Sequence, residues 1–72
     1  AELIYKRFIK LYPKSDLVAN IKFNLAVIEF DRRNIKKAKT YLLDAITGNN
    51  KEAKAKSYLL LGQIFMTEKN YQ

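Results

Sequence analysis

An internal repeat limits what this chain can fold into more than any other feature of the sequence. The pair Leu25-Ala26 recurs as Leu61-Gly62 after 36 residues. A set of three further positions recurs after 37 residues, first as Ala1, Tyr5 and Phe8 and then as Ala38, Leu42 and Ala45. Self-similarity at a period of about 20 to 50 residues is typical of stacked repeats, in which each unit packs on the next. The sequence therefore predicts stacked units rather than one closed bundle.

Four segments show the periodicity of helices, with apolar residues at steps of three and four. Pro13 ends the first segment, because the residue before a proline is pushed out of the helical region. Gly48 and two asparagines separate the third segment from the fourth. The predicted helices span residues 1–12, 16–32, 35–47 and 51–68, followed by a turn at 69–71. Since no segment alternates like a strand, the predicted fold class is all-α.

The turns between these helices carry predicted caps. Ser15 or Asp16 is expected to cap the second helix, and Asn34 the third. We expect Gly48 to adopt the left-handed conformation that commonly ends a helix. Asn49, with a glutamate three residues later, predicts a capping box at the start of the fourth helix.

Polar residues of the second helix fall on two separate stripes. One holds Asn20, Asn24 and Asp31, and the other holds Lys22 and Glu29. A surface helix of a globule has one wide polar face, whereas a helix between neighbours has apolar contacts on two flanks. We therefore predict that the second helix is packed between two others. A close approach of the second and third helices is expected at the small residues Ala26, Ala38 and Ala45.

The spacing of small and bulky residues resembles the tetratricopeptide repeat, a pair of helices with a period of about 34 residues. The residues similar to its first helix are Tyr58, Leu61, Gly62 and Phe65. Those similar to its second helix are Ala1, Tyr5, Phe8 and Pro13, and then Ala38, Leu42 and Ala45. Lys22 and Glu29 stand where the family has large apolar residues, so we expect them to pair across the helix ends or face solvent. Arg33 stands in place of the family's turn glycine.

The resemblance implies an α-solenoid of antiparallel helix pairs, with four helices in this chain. Residues 1–14 would be the second helix of one repeat, 15–50 a complete repeat and 51–72 the first helix of the next. The lengthened spacing between repeats resembles that of bacterial envelope lipoproteins and Tol-associated periplasmic proteins.

A concave groove lined by the first helix of each repeat is the binding surface that the resemblance implies. It would hold a peptide or a partner protein, since an Asn amide can bond both the N–H and the C=O of an extended chain. The implied groove residues are Asn20, Phe23, Asn24, Val27, Phe30, Asp31, Lys56, Leu59, Leu60, Gln63, Met66 and Thr67. For each of them the competing interpretation is packing inside the superhelix.

Some members of the family hold a C-terminal carboxylate with a clamp of Lys, Asn and Arg. Asn24 and Lys56 match two clamp positions, whereas Leu60 stands where a basic residue is expected. The resemblance therefore favours an apolar or extended ligand over a carboxylate clamp.

A basic cluster surrounds the predicted turn between the second and third helices, in a chain of net charge +7. Its members are Arg32, Arg33, Lys36, Lys37 and Lys39. The alternative function is therefore a basic helical module that binds nucleic acid or an anionic membrane. We favour a solvated convex edge, because no aromatic or Gly-rich recognition element accompanies the cluster. A third role is purely structural, as a spacer between domains.

Catalysis is disfavoured by the residue types that are missing. The chain has no Cys and no His, so it lacks thiolate ligands and the usual general base. Ser15 and Ser57 have no base to activate them, and Glu29 and Asp31 fall on different helix faces. We predict that the protein is not an enzyme and uses no cofactor or metal.

No apolar run reaches the roughly 20 residues of a membrane-spanning helix. The chain begins at Ala1 without Met, which predicts a piece of a longer protein. The compartment stays open between a bacterial periplasm or envelope and the cytoplasm. Because the fourth helix lacks a partner over Tyr58, Leu61 and Phe65, we also expect self-association through the terminal helix faces. The predicted partners are a protein or peptide ligand and a second copy, with nucleic acid and membranes disfavoured.

Overall fold

The computed structural model describes the backbone of residues 2–70 and the side chains of residues 2–68. This part of the chain consists of four α-helices joined by short turns, without a strand. The helices are α1 (Glu2–Leu11), α2 (Leu17–Asp31), α3 (Ile35–Ile46) and α4 (Lys51–Asn70). The all-α prediction is confirmed. The turn predicted at 69–71 is wrong at 69 and 70, where α4 continues, and Tyr71 lies outside the described residues.

The helices contact one another in a limited order. α2 and α3 pack antiparallel, since Lys22 near the start of α2 lies 3.6 Å from Asp44 near the end of α3. α4 packs against α3 and also against α2, whereas the described backbone of α1 approaches only that of α2. α2 therefore lies between other helices, as its two polar stripes predicted. The four helices do not form a ring, because α1 and α4 are not neighbours.

The core lies where α2, α3 and α4 meet. Ala26, Ala38 and Ala45 are completely buried, which confirms the predicted close approach of α2 and α3. Small side chains at such positions let two helix backbones approach closely and still exclude water. The main buried cluster consists of Ala26, Ala38, Leu42, Leu60, Leu61 and Ile64.

A complete Schellman motif joins α2 to α3. Arg33 adopts a left-handed conformation with φ of 66°, at the position that glycine usually occupies. Its N–H donates to the carbonyl of Phe30 at 2.9 Å, and the N–H of Asn34 donates to the carbonyl of Glu29 at 2.8 Å. The side chain of Asn34 does not cap α3 as predicted. Its amide instead approaches the Glu29 carboxylate at 3.5 Å, because the turn brings the two side chains together.

Of the other two predicted caps, the one at α2 is confirmed for Ser15, and the one at α4 differs by one residue. Ser15 caps the start of α2 by accepting the N–H of Leu17 at 3.2 Å, while Asp16 makes no side-chain cap bond. At α4 the cap is Asn50, not Asn49, and its side-chain oxygen accepts the N–H of Ala53 at 3.1 Å.

Asn50 also makes a contact outside its own turn, which explains why it and not Asn49 caps α4. Its amide donates to the carbonyl of Asp16 at 3.1 Å and so joins the α3–α4 turn to the α1–α2 turn. Gly48 does not adopt the predicted left-handed conformation. α3 ends instead with Thr47, whose N–H donates to the carbonyl of Asp44 at 3.2 Å.

Candidate functional site

The predicted groove residues lie on α2 and α4, two helices that pack against each other. Three of the apolar ones, Phe23, Val27 and Phe30, are half-buried and pack against the core cluster. They form the floor of the predicted groove, which we call the α2–α4 face. The prediction that Leu60 lines the groove is wrong, because its side chain is only 9% exposed and belongs to the core.

Most of the remaining predicted groove residues are available to a ligand. Asn20 and Thr67 are half-buried, and the Thr67 hydroxyl donates to the Gln63 carbonyl of its own helix at 2.9 Å. The exposed members are Asn24, Asp31, Lys56, Leu59, Gln63 and Met66. The exposed residues predicted for the groove thus include amide groups, both signs of charge and two long apolar side chains.

A cleft of about 460 Å³ opens at one end of the α2–α4 face, between the C-terminal ends of α2 and α4. Its size falls within the range of about 300 to 1,000 Å³ that is usual for ligand pockets. The lining residues are Phe30, Asp31, Arg33, Ile35, Ile64, Thr67 and Glu68. Sequence reasoning placed Arg33 only in the basic cluster and missed Ile35 and Glu68 as neighbours of the groove. Only the packing of α4 against the α2–α3 turn brings them there.

The predicted basic cluster is divided between two surfaces. Arg32 lies 2.6 Å from the Glu2 carboxylate and 3.5 Å from that of Glu29, and Lys37 approaches Glu29 at 4.0 Å. Lys39 lies on the other side of α3, where it pairs with Glu68 of α4. Three of the five cations thus face carboxylates, and Lys39 lies apart from the other four, which are exposed to solvent as predicted.

Lys22 and Glu29 were expected to pair across the helix ends or to face solvent, and they do neither. Each of them instead meets a charged residue of α3. The Glu29 side chain is 8% exposed and is surrounded by Arg32, Lys37 and the Asn34 amide. Lys22 pairs with Asp44 of α3. Buried charge is tolerated when it is paired and hydrogen-bonded, so these residues replace apolar contacts between α2 and α3 with ionic ones.

Glu2 links α1 to the turn after α2. Lys6 lies 3.1 Å from the Glu2 carboxylate, one helical turn further along, and Arg32 approaches it from the turn. Hydrogen bonds from Lys6 and then from Arg32 hold the pKa of Glu2 below its ordinary value. The same bond from Lys6 raises the pKa of that ammonium group. A cavity of about 580 Å³ lies beside this network, between α1 and the start of α3.

Comparison with known proteins finds no family model, no curated sequence and no solved structure that matches this chain. What the fold and the site define is a small all-α protein with an exposed face along two helices. Within residues 2–70, no helix has the length and apolar character needed to cross a bilayer. The same residues contain no group of three acidic, His or Cys side chains that could hold a metal ion.

Proposed function

We propose that this chain is a binding module of tetratricopeptide type, whose α2–α4 face holds an extended peptide or a segment of a partner protein. Binding rather than catalysis is its role. The observation that carries the proposal is the exposure of Asn24 and Gln63 on neighbouring helices, above the half-buried floor of Phe23, Val27 and Phe30.

The order of helix contacts supports a stacked arrangement. In a closed four-helix bundle the first and last helices are neighbours, whereas here α1 and α4 are not. The helices instead extend over 40 × 24 × 13 Å, a flat shape. Stacked helix pairs present extended surfaces of this kind, on which a partner can bind.

The chemistry of the face also supports a peptide ligand. An Asn or Gln amide offers two donors and an acceptor, which match the N–H and C=O groups of an extended backbone. Leu59 and Met66 lie one helical turn before and after Gln63 on α4 and are 71% and 69% exposed. Flexible apolar side chains such as Met adapt to different partners. The face therefore supplies both backbone recognition and apolar contacts.

The alternative of a nucleic-acid or membrane surface has less support. Arg32, Lys37 and Lys39 already face carboxylates, so the basic cluster offers fewer unpaired cations to phosphates. Binding driven by phosphate contacts would weaken steeply with salt. Binding on the α2–α4 face, driven by apolar burial and neutral amides, would not.

A phage-displayed library of random peptides provides the test. Selected peptides are synthesised, and their affinity is measured by calorimetry for the wild type and for the double variant Asn24→Ala/Gln63→Ala. Each lost amide removes about 0.5 to 1.5 kcal/mol of hydrogen bonding, so we expect the double variant to bind about tenfold more weakly. Asn49→Ala is the matched control, because this exposed amide lies in the α3–α4 turn. It is expected to leave affinity unchanged.

Equal affinity of the wild type and the double variant would contradict the proposal, as would a selection that yields no binding peptide. A steep loss of affinity with salt would favour the basic surface instead. Substitution of Leu60 is not informative, because a change in this core residue would disturb folding before it reported on binding.

A further inference from the structure

An ion pair joins α1 to the end of α2, and the chain makes the equivalent contact a second time. Glu2 pairs with Arg32 at 2.6 Å. Lys39 lies 37 residues after Glu2, and Glu68 lies 36 residues after Arg32. These two side chains also pair, with the signs of charge exchanged. The shifts are those of the internal repeat, so the position of α1 beside the α2–α3 turn is a regular contact between repeat units.

A cavity remains between α1 and the start of α3, because the backbone of α1 approaches that of α2 but not that of α3. Its volume of about 580 Å³ falls within the range of about 300 to 1,000 Å³ that is usual for small-molecule pockets. α1 contributes Glu2 and Lys6 to the lining, and most of the other lining residues belong to the α2–α3 turn and the first turns of α3. No residue of the predicted groove on the α2–α4 face lines this cavity.

The side of α1 that lines the cavity differs from the side on which another helix pair would pack. In α3, Leu42 is completely buried in the cluster that includes Ala26 of α2. Its equivalent 37 residues earlier is Tyr5. Lys6 corresponds instead to Leu43, which is 52% exposed. By the internal repeat, a helix packed on α1 as α2 packs on α3 would contact Tyr5 and leave the cavity open.

The lining of the cavity carries an excess of positive charge. Four cationic side chains and two carboxylates line it, so the lining has a net charge of +2. The cations are Lys6, Arg32, Lys36 and Lys37, and the carboxylates are those of Glu2 and Glu29. Three of the cations share the two carboxylates at distances of 2.6 to 4.0 Å, whereas Lys36 pairs with no carboxylate of the described residues. This excess matches one small dianion and is too small for the several phosphates of a nucleic-acid backbone.

A neutral donor accompanies the charged side chains. Tyr41 is half-buried, packs against the core cluster and lines the cavity. Its position is therefore fixed by packing rather than by the charged network. A Tyr hydroxyl donates one hydrogen bond and a Lys ammonium group donates up to three, whereas phosphate oxygens only accept. The cavity thus offers a rigid hydroxyl donor and an unpaired ammonium group to the same ligand.

We propose that this cavity binds one small molecule that carries a dianionic phosphate group, with Lys36 and Tyr41 as its principal donors. A charge of −2 on the ligand balances the net charge of the lining. The volume leaves room for more than the phosphate group itself, so an organic phosphate is expected to bind more tightly than the free ion. The proposal goes beyond the peptide-binding role, and it uses no residue of the α2–α4 face, so either role can fail without the other.

Calorimetric titration with inorganic phosphate and with glucose 6-phosphate tests the proposal. The titrations are made at constant ionic strength and about pH 8, where a phosphate monoester with a second pKa near 6 is a dianion. Lys36→Gln removes the unpaired cation, and Tyr41→Phe removes the hydroxyl but keeps the packed ring. Lys51→Gln is the matched control, because this exposed lysine also lies in the first turn of a helix and its loss changes the net charge equally. Circular dichroism verifies the helix content of each variant.

We expect one phosphate group to bind per chain, with affinity lowered about tenfold by Lys36→Gln and about threefold by Tyr41→Phe. Lys51→Gln is expected to leave the affinity unchanged. Tighter binding of glucose 6-phosphate identifies an organic phosphate as the ligand, and tighter binding of inorganic phosphate identifies the free ion.

Two results would overturn the proposal. One is the absence of binding by either probe at millimolar concentrations. The other is an equal loss of affinity in Lys36→Gln and Lys51→Gln, since the net charge of the whole chain and not the cavity would then attract the anion.

Discussion

Arg33 is the residue whose backbone conformation is least suited to its side chain. A non-glycine residue in the left-handed region loses about 1 to 2 kcal/mol through contact of its Cβ atom with the backbone. We expect Arg33→Gly to stabilise the fold by about 1 kcal/mol, because glycine adopts this φ of 66° without strain. Arg33→Ala is the control, since it removes the same charge but keeps the Cβ atom. Denaturant unfolding measures both, and equal stability of the two variants would show that φ is not the cause.

Ser57 is a second residue at which a small change is expected to stabilise the protein. Its hydroxyl is completely buried in α4 and has no hydrogen-bond partner among the described residues. A buried unsatisfied group destabilises by about 1 to 3 kcal/mol, so Ser57→Ala should raise the free energy of unfolding by about 1 kcal/mol.

Ser15→Ala serves as the control for Ser57→Ala, because it is expected to change the free energy of unfolding in the opposite direction. This hydroxyl caps α2 through the N–H of Leu17, so its loss should lower the free energy of unfolding by about 1 kcal/mol. Thermal unfolding of both variants checks the pair. A destabilised Ser57→Ala variant would mean that the hydroxyl has a partner after all.

At the scale of the helices, α1 packs only against α2, and the ion pair of Glu2 and Arg32 adds a charged contact to that packing. The pKa of Glu2 is lowered by Lys6 and Arg32, so its ionised form stabilises the docking of α1 above the ordinary carboxyl pKa. This contribution is lost as the pH falls through the lowered value. The pKa of Lys6 is raised, so its contribution is complete at neutral pH and disappears only when the pH rises through the raised value.

We therefore expect NMR signals of α1 amides to shift toward those of a less ordered helix on acidification from about pH 7 to about pH 3, while α3 changes less. Glu2→Gln removes the titrating group, so its α1 signals should already resemble those of the acidified wild type at neutral pH. Identical α1 titrations of the wild type and Glu2→Gln would contradict the role given to Glu2.

At the scale of the whole molecule, each helix packs on its neighbours and the two end helices do not meet. Three helices share the core, whereas α1 contributes no buried residue. The uncovered faces of α1 and α4 and the open α2–α4 face all follow from this order of contacts. A closed ring of helices would have buried all three surfaces. The proposed binding role therefore depends on this order of helix packing.

Local features of the sequence determined the helices and the tightest contact between them. Helical periodicity, Pro13 and the turn residues act over a few positions, so they placed the helix ends within about two residues. Ala26, Ala38 and Ala45 identified the close approach of α2 and α3, because only small side chains permit it. Arg33 was recognisable as the turn residue because it stands where a left-handed residue is required.

Tertiary structure alone decided how each helix is rotated and which charges meet. Successive residues of a helix differ in direction by about 100°, so the rotation of α4 about its axis decides that Leu60 is buried and Leu59 exposed. The same long-range packing selected Asn50 over Asn49 as a cap and divided the basic cluster between Glu29 and Glu68. Contacts between residues far apart in sequence depend on the position of whole helices. Local sequence patterns determine where helices form, and only their packing determines which side chains face each other or remain exposed.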